Sequence, residues 1–192
     1  MILNREVGKD RAARMTLEDR IPLVAVSSCL LGEKVRYDGT DKYFASLSEL
    51  DGQIRLVAVC PEVEIGLGIP RQPIQLVAAD GEIRVRGVED RTLDVTDRLL
   101  ICAEEVVNRL AVISGYIFKS GSPSCGIKNA MVYSKDFNAK GSENGTGIFA
   151  GRILGLLEDL PFEDEKRLGD VHIRQQFLAK VLKYHRRMIP RG

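Results

Sequence analysis

The chain has 192 residues, with 28 Lys and Arg against 27 Asp and Glu and a formal net charge of +1. That balance excludes a global field able to draw in nucleic acid or an anionic membrane, and the length suits one compact domain with a full core. Four cysteines without a C-x-x-C pair follow a start that is charged throughout and lacks the apolar stretch of a signal peptide. This predicts a cytoplasmic protein whose thiols are core residues, ligands or reagents rather than disulfides.

Residues 1–20 read as an N-terminal extension to a single domain over 21–192. Residues 21–27 (IPLVAVS) are a short, Val-rich apolar run, which predicts a strand buried on both faces; Ser28 and Cys29 follow it. A polar loop, GEKVRYDGT, and a short helix over 43–50 lead to a second such run at 54–59 (IRLVAV), with Cys60 at its end, making a βαβ unit. Residues 74–79 and 83–88 alternate apolar and polar side chains around Asp80-Gly81, the pattern of a hairpin, expected at the sheet edge. Over 95–110, Val95, Leu99, Cys102, Val106 and Leu110 recur at helical spacing along one face. A third apolar run at 112–118 enters the segment KSGSPSCG, which contains Lys119 and Cys125. A strand at 130–134, a helix at 148–157 opened by Gly145-Thr-Gly147, and a helical, amphipathic tail over 163–189 with Ile173, Phe177, Val181 and Tyr184 aligned complete the chain. Strands alternating with helices predict an α/β fold with a mainly parallel sheet, an edge hairpin and a C-terminal helix.

Open parallel sheets bind ligands beyond the carboxyl ends of their strands. Cys29, Cys60 and Cys125 each lie just past a predicted strand, so three distant thiols are expected to converge there. Cys102, on a helix core face, reads as a buried hydrophobe. Hydrogen-bonding neighbours, namely Ser27, Ser28, the Glu62 region, Ser122, Ser124 and Gly126, are expected to favour thiolate over thiol at the other three. Three soft thiolates suit zinc, copper(I) or an iron-sulfur cluster. His172 and His185, in the charged tail, read as surface or packing residues rather than a fourth ligand, which leaves an open coordination position of the catalytic kind. Gly66-Leu-Gly68 lacks the third glycine of a dinucleotide fingerprint and runs into Pro70, so a tight loop is expected there and NAD is not.

The segments VSSCLLGEKVRYDG, VCPEVEIGLGIPRQPIQLV, GYIFKSGSPSCG and GTGIFA, in this order over about 22–160, resemble a bacterial family long catalogued as a domain of unknown function, which includes the iron-sulfur thiouracil desulfidases. The resemblance implies a Rossmann-like α/β domain in which Cys29, Cys60 and Cys125 hold a 4Fe-4S cluster with one iron free. It also implies non-redox desulfuration of a thiocarbonyl compound such as thiouracil: the open iron takes the sulfur as sulfide while water attacks the carbon. Within that reading Glu62, two residues past a ligand, is the expected general base, with Glu64 the alternative. Ser28 and Ser122 are expected at the reacting centre, with Ser27 also available to meet developing charge. Asp38, Arg71, Lys119 and Ser124 are expected to bind substrate, Arg71 and Lys119 also offsetting thiolate charge. The partners expected are a small thionucleobase-like substrate and, for a homodimer, a second copy of the chain, with no nucleic acid and no membrane. Two alternatives stand beside the enzyme: a sulfur or cluster carrier without turnover, and a thiol or zinc module.

Overall fold

A computed structural model describes residues 21–79, 81–110, 112–135 and 141–188. The N-terminal extension, Asp80 of the predicted turn and residue 189 of the predicted tail lie outside the described residues. Along the chain the strands are β1 (Leu23–Ser27), β2 (Arg55–Val59), β3 (Ile74–Ala79), β4 (Glu82–Gly87), β5 (Ile113–Phe118), β6 (Val132–Tyr133) and β7 (Phe162–Asp164). The α-helices are α1 (Pro61–Glu64), α2 (Thr96–Arg109), α3 (Ile148–Leu156), α4 (Glu165–Leu168) and α5 (Val171–Met188).

Four strands form a parallel sheet in the order β2-β1-β5-β7, in which Ala25 lies opposite Val57 on one side and Tyr116 on the other. The Val-rich runs suit this place: β1 and β5, in the middle, are buried along nearly their whole length, whereas β2 at the edge is half-buried. Helix α5 covers one face, with Phe177 and Val181 against Val24, Val26 and Ile117. Helices α2 and α3 cover the other, joining Leu99, Cys102, Val106, Phe149 and Ile153 to Ala25, Val59, Tyr116 and Phe118. Gly115 permits the close approach of α5, since a Cβ there would lie 2.8 Å from Val181 Cγ2 and 3.3 Å from the Pro161 carbonyl. No helix among the described residues is long and apolar enough to cross a membrane.

The predicted hairpin forms, with Ala79 opposite Glu82, but it does not extend the parallel sheet. It pairs with β6 in a separate sheet ordered β4-β3-β6. The cause lies within β4, where the Val85 amide donates to Thr96 Oγ1 (2.8 Å) and the Val85 carbonyl accepts from the Val95 amide (3.0 Å), tying the hairpin to the start of α2. The helix expected at 43–50 is a 3-10 helix, Ala45–Leu50. Its Ser48 hydroxyl donates to the Ala45 carbonyl, the local bonding by which serine competes with a regular helix. The helical tail expected over 163–189 is broken: Glu163 and Asp164 belong to strand β7, whose 3 residues carry too little periodicity to be read from sequence, and the helix is split into α4 and α5 at Gly169 and Asp170.

From β1 the chain passes to β2 on one side, while β5 lies on the other. The connections therefore part at the carboxyl ends of these three strands, where a parallel sheet opens a crevice.

Candidate metal centre and active site

That crevice is a cavity of about 260 Å3. Ser27, Ser28 and Cys29 reach it from the end of β1, Cys60 and Glu62 from β2, and Lys119, Ser120, Ser122 and Cys125 from β5; Arg71 closes the side. Each cysteine is placed by its own local device. Cys29 sits in a 3-10 turn, Ser28–Leu31, and its carbonyl accepts from the Lys42 amide at 2.9 Å. Cys60 is the cap of α1, with Pro61 at the first helical position, and its carbonyl accepts from the Val63 and Glu64 amides. For Cys125, the Ser122 hydroxyl accepts from the Ser124 and Cys125 amides at 3.2 and 3.1 Å, curling the loop. The Gly147 amide then donates to the Gly126 carbonyl at 2.7 Å, so α3 abuts this loop. A Cβ on Gly147 would stand 2.4 Å from the Ser124 carbonyl carbon, which explains why the Gly145-Thr-Gly147 opening ends in glycine.

Burial governs the thiols. It pushes Cys29 up to about 11, against the pull of Lys119 and Arg36, and it raises Cys60 as well. Cys125 lies well above its ordinary value, first through burial and then through the negative charge of Cys60 and Glu62. The expectation that neighbouring hydrogen bonds favour thiolate is therefore overturned: the Ser27 contact does lower Cys125, but burial outweighs it. Ionised together in so dry a space the three sulfurs would repel one another, so their deprotonation calls for a cationic centre between them.

Glu62 is gripped on both oxygens. Arg71 donates to Oε2 through Nε (3.0 Å) and Nη2 (2.8 Å), and Ser124 donates to Oε1 at 2.9 Å. Arg71 is itself held by the Gly68 and Val35 carbonyls, both 2.9 Å away. Gly66 and Gly68 have φ values of 79° and 78°, forming the tight loop that brings Arg71 back to Glu62. Lys119 Nζ meets Glu165 Oε1 at 2.5 Å and the Ser120 carbonyl at 2.8 Å, close enough to Cys29 to act on its charge. Burial works against the Glu165 carboxylate, but hydrogen bonds from Lys119 and Ser120 hold it below its ordinary value.

Of the residues expected at the site, Cys29, Cys60, Cys125, Glu62, Ser28, Ser122, Arg71 and Lys119 meet in this cavity. Ser124 is fully buried and reaches it only through Glu62. Asp38 stays in an exposed turn, accepting from the Thr40 amide and hydroxyl, and does not line the cavity. Glu64 also stands outside, paired with Arg109 at 2.9 Å. Cys102 is buried in α2 with Sγ 4.0 Å from Glu64 Oε2, His172 is exposed, and His185 is buried with Nδ1 2.9 Å from Ser114 Oγ. Sequence reasoning missed Arg36 and Tyr37, which line the mouth with the guanidinium 5.5 Å from the ring centroid, and Glu165, which holds Lys119. The exposed aromatic in the RYDG turn was a usable signal for the first two; nothing local marked Glu165.

Among the described residues no three His, Cys, Asp or Glu side chains close around a single ion. Three soft sulfurs line a common cavity, with Lys119 and Arg36 offsetting the charge at Cys29, a donor set that suits a soft, sulfur-ligated metal group.

Known proteins resemble the chain over most of its length. The model of a family described as 2-thiouracil desulfurase matches residues 24–165. The uncharacterized protein YbbK of Bacillus subtilis (strain 168) is 31% identical over 137 residues, covering 68% of this chain and 89% of YbbK. A solved structure, the 4Fe-4S-dependent thiouracil desulfidase TudS, superposes with a TM-score of 0.59 at 30% identity, covering 81% of this chain and 98% of TudS.

Proposed function

The chain belongs to the 2-thiouracil desulfurase family, and from that premise we propose that it removes sulfur from a thiocarbonyl compound such as thiouracil, using a 4Fe-4S cluster held by Cys29, Cys60 and Cys125. The observation that carries the reading is the meeting of these three cysteines with an anchored carboxylate, Glu62, in one cavity. When bound, the cluster supplies a soft Lewis-acidic iron toward the sulfur of a C=S group.

The chain's own residues supply the remaining chemistry. Overall, the thiocarbonyl compound and water give the carbonyl compound and hydrogen sulfide, with no net change of oxidation state. Glu62 is the residue to take the water proton. An ionised carboxylate offers about four lone-pair sites; Arg71 and Ser124 engage three of them, leaving one to accept from water. Such general-base help is typically worth about a hundredfold to ten-thousandfold in rate. Ser28 and Ser122 line the cavity and offer hydroxyls to the charge that develops on the substrate. Lys119 and Arg36 offset the thiolate charge at Cys29, and the Tyr37 ring at the mouth is a flat face for a heterocycle.

Anaerobic reconstitution with iron and sulfide, followed by incubation with thiouracil, tests the reading. The wild type is expected to bind iron and to release uracil and sulfide over many turnovers. Cys29→Ala, Cys60→Ala and Cys125→Ala should lose the cluster, and Glu62→Gln should keep it while losing most of the rate. Stoichiometric sulfide uptake without turnover would point to a carrier, and a wild type that binds no iron would sink the proposal.

A further inference from the structure

Tyr116 presents a contradiction that the cavity resolves. Its ring is completely buried, stacked on Phe118 at 3.9 Å and 4°, and set edge-on to Phe149. Yet its hydroxyl has no hydrogen-bond partner among the described residues. A buried Tyr O–H normally finds a partner, because leaving it unpaired forfeits its hydration without return. Selection for packing alone would be met by phenylalanine, as the neighbouring Phe118 and Phe149 show.

The surroundings of the hydroxyl point to the cysteine sulfurs, none of which it bonds in the structure. The β1, β2 and β5 registers put Tyr116 on the same face as Ala25 and Val57, one pleat back from Ser27 and Val59, which lead directly into the cavity. Tyr116 and Cys125 belong to the same buried cluster. Burial raises the hydroxyl well above its ordinary value, and Cys125, Glu64, Cys102 and Cys60 add to that in falling order, so these groups lie near it. Three of those four are sulfurs, and two of the three are the proposed ligands.

We propose that Tyr116 is a positioning residue for the cluster: its hydroxyl donates a hydrogen bond to the Cys125 thiolate or to an adjacent sulfide once the cluster is in place. This rests on the desulfidase reading and deepens it. The donor has no partner among the described residues and would gain one from the cluster, so deleting it has opposite consequences without and with the cluster. Hydrogen bonds to the sulfurs of such clusters stabilise their more negative, reduced form and raise the reduction potential.

The test compares wild type with Tyr116→Phe in two measurements. In the metal-free chain, thermal unfolding of the variant is expected at the same temperature or higher, since only an unpaired polar group is removed. In the chain reconstituted anaerobically with iron and sulfide, the midpoint potential of the cluster, followed by EPR during a redox titration, is expected to move to a more negative value. Both results are required. A metal-free variant of lower Tm shows that the hydroxyl already has a structural partner, and an unchanged or more positive potential shows that it does not reach the cluster's sulfurs; either overturns the proposal. A wild type that takes up no iron sinks the desulfidase reading and this inference together, whereas a loaded wild type and variant with the same potential sink this inference alone.

Discussion

Removing the guanidinium that holds Glu62 should destabilise the chain far more than an ordinary surface ion pair would. The Arg71 side chain is 5% exposed and that of Glu62 15%, and Arg71 also engages the Val35 and Gly68 carbonyls. Arg71→Ala leaves a largely buried carboxylate with Ser124 as its remaining side-chain partner, and takes a donor from the Gly68 carbonyl and from the Val35 carbonyl, which keeps the weak Cys60 thiol contact at 4.0 Å. Breaking a buried pair from one side costs about 3–5 kcal/mol, against about 0–1 kcal/mol for an exposed pair. Because the cavity lets some water reach Glu62, the lower end applies, about 3 kcal/mol. For a chain of this size that is a fall in Tm of roughly 6–12 °C. Urea unfolding of the metal-free protein under reducing conditions measures it, with Glu62→Ala and the double variant completing a thermodynamic cycle. The double variant should be less destabilised than the sum of the singles by about 1–3 kcal/mol, since it no longer strands a charge. An Arg71→Ala chain within about 1 kcal/mol of wild type, or strictly additive effects, would refute the view that Glu62 is held by a desolvated clamp.

Other outcomes follow from the same geometry. Ser124→Ala frees Glu62 Oε1 without touching the cavity wall; loss of a hydrogen bond to a charged group, about 1.5–3 kcal/mol, should lower kcat/KM for thiouracil by roughly tenfold to a hundredfold. Gly147→Ala drives a Cβ into the Ser124 backbone and should displace the Cys125 loop, so iron bound after reconstitution should fall several-fold by metal analysis while Gly155→Ala, where a Cβ meets nothing within 4 Å, leaves it unchanged. Cys102→Ala should retain full iron and cost on the order of 1 kcal/mol in urea unfolding, as a small truncation on a helix core face. Glu165 lies below its ordinary value of 4.5 in the folded chain, so it contributes stability above pH 4.5 that disappears as pH falls through the folded value. Glu165→Gln should therefore unfold at lower temperature than wild type at pH 7, with the gap closing below about pH 4.5; a gap independent of pH in calorimetry would contradict that assignment.

The sequence alone carried the parallel strands and the place of the cysteines. The runs LVAVS, RLVAV and ISGYIF are apolar on both faces, which only a covered parallel sheet accommodates, and a cysteine after each run must emerge at the same sheet edge. The burial of Leu99, Cys102 and Val106 was likewise legible, because helical periodicity is local. Tertiary structure decided what local pattern cannot encode. Hairpin periodicity indicates pairing between β3 and β4 but not which sheet receives them; the bonds from Val85 and Val95 at the start of α2 settled that. Ser124 looked like a residue facing substrate and is instead the hidden partner of Glu62, while Asp38 bonds its own turn. Glu165 reaches Lys119 across 46 positions, a separation at which no spacing rule speaks. Thiol ionisation was misjudged for the same reason: hydrogen-bonding neighbours are visible in sequence, whereas the depth of burial that outweighs them exists only once the chain has packed.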